Sequence, residues 1–214
     1  MAERRPYSSV LRTEQTALTR RRILQAAGNQ FAQSGYLGTT LVAIAGAAGV
    51  SVQTVYNVVG GKPAVLKAVY DVTLAGDDEP VPMAERPIVR AMMAATDARS
   101  CLACYAEMAR TLGERTLPLV NMLLAQAATG DSDLRAFADT IESERATGTS
   151  NTARHVADQF GLRPGLEPAG AADVLWALTA PDLADRLVNR RNWGWERFQH
   201  WLGATMADAL IGPH

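Results

Sequence analysis

Apolar residues recur along this chain at spacings of three and four rather than two, the pattern of helices that each bury one face. Ile23, Leu24, Ala27 and Phe31 fall on one stripe of a first helix expected from about Gln15 to Ser34, and Gly35 and Tyr36 supply its stop. Thr39 or Thr40 can cap the next helix, a short one with Leu41, Ile44 and Ala45 on its inner side. Gly49 permits a tight turn, and Ser51 is a good cap for a third short helix, Val52 to Asn57. After Gly60 and Gly61 a fourth helix, Pro63 to Ala75, aligns Val65, Leu66, Val69 and Val72, with Pro63 suited to its first turn.

The acidic, proline-containing stretch GDDEPVPMAERP then reads as a boundary. Beyond it the pattern predicts helices near 86–97, 100–112, 115–129 and 132–160, the loop GLRPGLEPAG, and helices near 170–179, 181–189 and 195–211. No segment alternates as a strand does, and no internal repeat or low-complexity run is present. The expected fold is all-α: a mobile basic arm over 1–14, a three-helix unit over 15–62, and a larger helical domain over 63–214.

Composition agrees with two units, since 214 residues suit one small domain and one larger one. No apolar run approaches the roughly 20 residues that cross a bilayer. The opening MAERRPYSSVLRTEQ leads into no apolar signal core, so the expected address is the cytoplasm. Cys101 and Cys104 lie three apart in a helical segment, a spacing that suits a packed face better than a strain-free disulfide, with redox or metal use as the alternative.

The formal net charge of −1 conceals an asymmetry. Through residue 70 the chain has eight basic residues (Arg4, Arg5, Arg12, Arg20, Arg21, Arg22, Lys62, Lys67) against two acidic (Glu3, Glu14), while the remainder has an acidic excess of seven. A basic head on an acidic body implies that the head alone meets a polyanion.

Two short helices joined by a glycine turn, the second opened by a capping serine, let one helix brace on the DNA backbone while the next enters the major groove. Residues 40–57 have that design. At Thr40 and Ser51, hydroxyls and backbone N–H groups stand at helix starts, where the dipole favours phosphate. Arg20, Arg21 and Arg22, with Arg4, Arg5 and Arg12, either add phosphate or minor-groove contacts or form a solvated basic start to a helix.

The segment TLVAIAGAAGVSVQTVYNVVGGKPAVL, Thr40 to Leu66, resembles the helix-turn-helix signature of the tetracycline-repressor (TetR) family. The matching positions are Thr40, Ile44, Ala45, Ala48, Gly49, Val50, Ser51, Thr54, Tyr56, Gly60, Lys62 and Leu66, and the likeness extends back over RRRILQAAGNQFAQSGYLGTT. It departs from the family at Val59, where an aromatic residue is usual, a change that loosens packing between the third and fourth helices. The resemblance implies that Tyr56 and Lys62 contact phosphates and that Val52, Gln53 and Asn57 face base edges. Gln and Asn can pair bidentately with adenine, and Val52 can meet a thymine methyl.

For the larger domain the resemblance implies a ligand cavity and a dimer interface. Met92, Cys104, Met108 and Met122 offer adaptable apolar surface for a pocket or serve as ordinary core filling. Asn121 and Gln126, polar among apolar neighbours, either orient a ligand, form a helix–helix hydrogen bond or face solvent, and His155 faces a pocket or the surface. The ending WALTAPDLADRLVNRRNWGWERFQHWL is similar to a TetR subgroup with a Trp-containing loop before the last helix. Val174, Leu175 and Leu178 form one stripe and Phe198, Trp201, Leu202, Thr205 and Ala209 another, suited to a two-fold four-helix contact.

The expected function is therefore a ligand-responsive transcriptional regulator, a homodimeric repressor released from a palindromic operator by a small molecule. His155, His200 and His214 show no metal spacing, and no phosphate loop or nucleophile elbow occurs, so neither enzyme activity, a metal nor a cofactor is expected. The rival reading keeps the fold but makes the chain a small-molecule carrier or interaction protein descended from a regulator.

Overall fold

The computed structural model describes residues 6–212, with side chains from residue 12 onward. Among the described residues every regular element is a helix, as the period of the apolar positions requires. The chain divides into two compact units, one formed by Met1–Asp78 with Met122–Phe137 and the other by Glu79–Asn121 with Ala138–His214.

In the first unit α1 spans Pro6–Gly38, α2 Leu41–Ala48, α3 Val52–Val58 and α4 Lys62–Ala75. The expected stripe of α1 is its buried face: Ile23, Leu24, Ala27 and Phe31 are covered, as are Ile44 and Ala45 of α2, Val55 of α3, and Val65, Leu66 and Val69 of α4. Helix runs from Pro6, within the stretch expected as a basic arm, where proline suits a first turn and no breaker follows before Gly28. Arg4 and Arg5 lie outside the described residues.

Regular geometry in α1 is interrupted at Gly35, whose φ of 68° and ψ of 174° belong to a region that only glycine occupies comfortably. Thr39 and Thr40 divide the work at the next helix start. Thr39 is buried with its hydroxyl donating to the Gly35 carbonyl at 2.7 Å, while the Thr40 hydroxyl caps α2 by accepting from the Ala43 N–H at 3.1 Å.

The second unit holds α5 (Pro87–Met93), most of α6 (Ala98–Ala127) and of α7 (Ser132–Phe160), α8 (Pro168–Leu178), α9 (Pro181–Ala184) and α10 (Trp195–Leu210). Two separate helices are expected over 100–129, but α6 is continuous through Gly113 and Pro118. Gly113 is where Trp195 packs, with so little room that a Cβ would touch the indole ring, so this glycine serves close approach and does not end a helix. The chain from Asp185 to Arg190 winds as a π-helix, and the Asp185 carboxylate there accepts from Asn189, Arg190 and, on α6, Asn121 at 2.8 Å. No described helix is long and apolar enough to cross a membrane.

Candidate nucleic-acid interface

The turn between α2 and α3 follows from two local choices. Gly49 takes left-handed angles (φ 65°, ψ 40°), so its N–H returns to the last carbonyls of α2, and Ser51 Oγ then accepts from the Thr54 N–H at 3.0 Å to start α3. The axes of α2 and α3 consequently bend by 94°, within the range of DNA-binding helix pairs. Val55 and Ile44 bury the inner faces, which turns the opposite face of α3 outward.

That outer face carries the expected readers. Gln53 and Asn57 are exposed one helical turn apart, and the Gln53 amide Nε2 donates to Asn57 Oδ1 at 2.9 Å. The pairing leaves the Gln53 carbonyl oxygen and the Asn57 amide nitrogen for an outside partner, an acceptor beside a donor. Adenine presents the complementary pattern in the major groove. Val52 and Thr54 are half-buried beside them, Thr54 with its hydroxyl 2.8 Å from that of Ser51, and Tyr56 stands out at 51% exposure.

The arginines of α1 differ in their surroundings. Arg22 donates to the Ala48 carbonyl at 2.5 Å and so caps the C-terminus of α2, and Arg20 pairs with Asp78 at 3.3 Å. Arg12 and Arg21 are exposed.

Lys62 is half-buried, with its ammonium 4.2 Å from the centroid of the Tyr36 ring. Loss of hydration pulls its pKa below the usual lysine value, and the charges of Asp131 and Asp133 pull it back up. Tyr36 donates its phenol to Asp133 at 3.2 Å, and burial, then Asp133, raises its pKa well above the ordinary tyrosine value. Gln126 also reaches this place, accepting from the Leu37 N–H at 3.2 Å.

A right-angled helix pair whose second helix carries an outward amide couple is a helix-turn-helix arrangement. Residues 23–69 match the family described as bacterial regulatory proteins, tetR family. Comparison with curated proteins finds no sequence match. Among solved structures the fold is similar to NalD, the secondary repressor of the MexAB-OprM multidrug efflux pump in Pseudomonas aeruginosa (TM-score 0.70, 21% identity, 92% of this chain and 98% of that one). It is also similar to the regulator FadR from Bacillus subtilis in complex with stearoyl-CoA (0.64, 16%, 90% and 98%). A third likeness is to AibR in complex with isovaleryl coenzyme A and operator DNA (0.57, 19%, 92% and 100%).

In the larger unit, Met92 is buried in the core with Cys101, Leu102 and Tyr105, and Cys104 and Met108 pack against that cluster. Both cysteines are free; burial, then Cys104 and Asp97, pushes the Cys101 thiol up to about 11, which makes it a poor nucleophile. Asn121 makes the hydrogen bond to Asp185, His155 lies edge-on to Phe160 at 6.0 Å with Nε2 buried and lacking a hydrogen-bond partner, and Met122 belongs to the first unit. The stripes offered for dimerisation divide: Leu175, Phe198 and Leu202 are covered within their own chain, whereas Val174, Leu178, Trp201, Thr205 and Ala209 keep partial exposure. The residues missed from sequence are Tyr36, Asp131 and Asp133. Tyr36 had a signal, an aromatic residue with a hydroxyl at a helix stop; the two aspartates had none.

Proposed function

We propose that the chain is a repressor that binds a palindromic operator as a homodimer and leaves it when a small molecule enters the larger helical unit. The observation that carries this reading is the outward Gln53–Asn57 couple on α3, held at 94° to α2 by Gly49 and Ser51. Thr40, Ser51 and Thr54 stand at the helix starts beside the DNA, Tyr56 and Lys62 take phosphates, and Val52, Gln53 and Asn57 read bases. Two such heads about 34 Å apart, or a multiple of one turn, match successive half-sites.

Dimerisation is assigned to the partly exposed Val174, Leu178, Trp201, Thr205 and Ala209 of α8 and α10, a self-complementary contact of the kind two-fold dimers use. The effector is assigned to the region of Met92, Cys104, Met108 and His155, where flexible side chains and a histidine nitrogen without a partner can accommodate a mainly apolar molecule carrying a polar group. The complexes of FadR and AibR with acyl-coenzyme A compounds support a ligand of that general character.

The test is fluorescence anisotropy with a duplex from the chain's own upstream region and a scrambled duplex, at two salt concentrations. Tighter, salt-sensitive binding to the native duplex is expected; absence of binding to either duplex favours the carrier reading. Tyr56→Phe should weaken both complexes alike. Gln53→Ala and Asn57→Ala should each shift base preference, with about 1–3 kcal/mol of discrimination at stake per bidentate contact. Because the two amides are bonded to each other, the double variant should lose less than the two single losses added together, and strict additivity would argue against a shared reading unit.

Release by an effector requires reciprocity: operator must lower effector affinity by the same factor as effector lowers operator affinity. Equal effector affinity with and without operator would sink this mechanism.

A further inference from the structure

The lysine at the start of α4 is already occupied by its own chain. The segment from Gln126 to Asp133 includes the end of α6 and the start of α7, and it is fixed at two points to one turn of α1. Gln126 Oε1 accepts from the Leu37 N–H at 3.2 Å, and Asp133 Oδ2 accepts from the Tyr36 hydroxyl at 3.2 Å. Between these anchors Asp131 is held as the cap of α7, its Oδ1 accepting from the Leu134 N–H at 3.0 Å. The buried Tyr36 ring then lies under the Lys62 ammonium, and the charges of Asp131 and Asp133 both act on that ammonium.

A cation seated on an aromatic face with two carboxylates acting on it is in the environment that a phosphodiester would otherwise provide. Those carboxylates offset part of the Lys62 charge that an incoming DNA backbone would meet, and two fixed acids beside the Tyr36 ring repel the phosphates as well. Other cations of the head are likewise engaged within the chain: Arg20 is paired with Asp78, Arg22 caps α2, and Lys67 is bonded to Asp71.

We propose that Asp131 and Asp133, set beside the Tyr36 ring that carries Lys62, act as an intrachain counter-charge that holds down the sequence-independent affinity of the head for DNA. The inference rests on the reading of Lys62 as a backbone contact. The residues that read bases stay as they are, so removing the counter-charge raises affinity for every duplex by the same factor.

The experiment is a double-mutant cycle on the full chain, with anisotropy against the scrambled duplex over a salt series. In Asp131→Asn/Asp133→Asn the capping bond to Leu134 and the bond from Tyr36 keep an acceptor, so the fold is retained while the charge is lost. This variant should bind roughly 1.5- to fivefold more tightly at low salt, the range typical of exposed charge–charge interactions. The slope of log affinity against log salt should steepen by up to about 0.9, the contribution of one additional phosphate. Asp131→Asn alone, which leaves the Tyr36–Asp133 bond untouched, should show part of the same gain.

In a Lys62→Gln background the gain should vanish. No gain in the acid variants overturns the proposal, and so does an equal gain with Lys62→Gln, which would mark a bulk charge effect. Lys62→Gln alone binding the scrambled duplex as tightly as the parent would instead overturn the backbone-contact reading on which the proposal stands.

Discussion

Phe31→Ala is expected to destabilise the DNA-binding unit by about 3–5 kcal/mol, the usual cost of removing a buried ring. The side chain is fully covered, with its ring centroid 5.8 Å from that of Tyr36. Truncation there forfeits apolar burial and leaves a void that short helices closed by Gly49 and Gly60 have little freedom to refill. Tyr36 would also lose its aromatic neighbour, and with it the support for the surface on which Lys62 sits. Urea unfolding followed by circular dichroism measures the loss, and duplex binding should fall in parallel at moderate denaturant. An unchanged transition would mean that the ring contributes nothing to the packing of α1, α2 and α3.

Gly35→Ala should cost about 2–4 kcal/mol, for two separable reasons. At φ 68° and ψ 174° an alanine carries backbone strain that glycine does not. Its Cβ would also fall on the side-chain amide of Gln126, which could swing away only by giving up the hydrogen bond from the Leu37 N–H. The two contributions can be told apart by repeating the substitution in a Gln126→Ala background, where the clash is gone and only the strain remains, about 1–3 kcal/mol. The same cost in both backgrounds would remove Gln126 from the explanation, and thermal unfolding of the four proteins decides it.

The position of Gly35 shows how legibility changes along the chain. A glycine after an amphipathic run marks a helix stop, and α1 does break there; nothing local says that a glutamine 91 positions later closes over it. The start of the chain is less legible for a different reason. A basic, polar stretch without an apolar stripe resembles an arm, yet it has no residue that forbids helix after Pro6, and helix α1 includes it. In α6 the difference runs the other way: Gly113 and Pro118 are helix breakers by propensity, and the indole of Trp195 packed on Gly113 supplies the tertiary reason for the glycine.

For the dimer stripes, periodicity identifies apolar faces correctly but cannot say which neighbour covers them. Leu175, Phe198 and Leu202 are consumed by the core of their own unit, while Trp201 and Val174 keep partial exposure. An apolar stripe at helical spacing records that a face avoids water; it carries no information on whether the cover comes from the same chain or from a second copy.

By itself the sequence determined the all-helical class, the two short helices over 40–57, the cap at Ser51 and the turn at Gly49, because each depends on neighbours within about four residues. Only the tertiary structure decided that Arg22 caps α2, that Tyr36 bonds Asp133 and that Lys62 sits on the Tyr36 ring. The same holds for the segment Met122–Phe137, which belongs with the DNA-binding unit. A charged or hydroxyl-bearing side chain can satisfy itself with any complementary group that folding brings within reach, and for these residues that group lies 26 to 97 positions away in the chain.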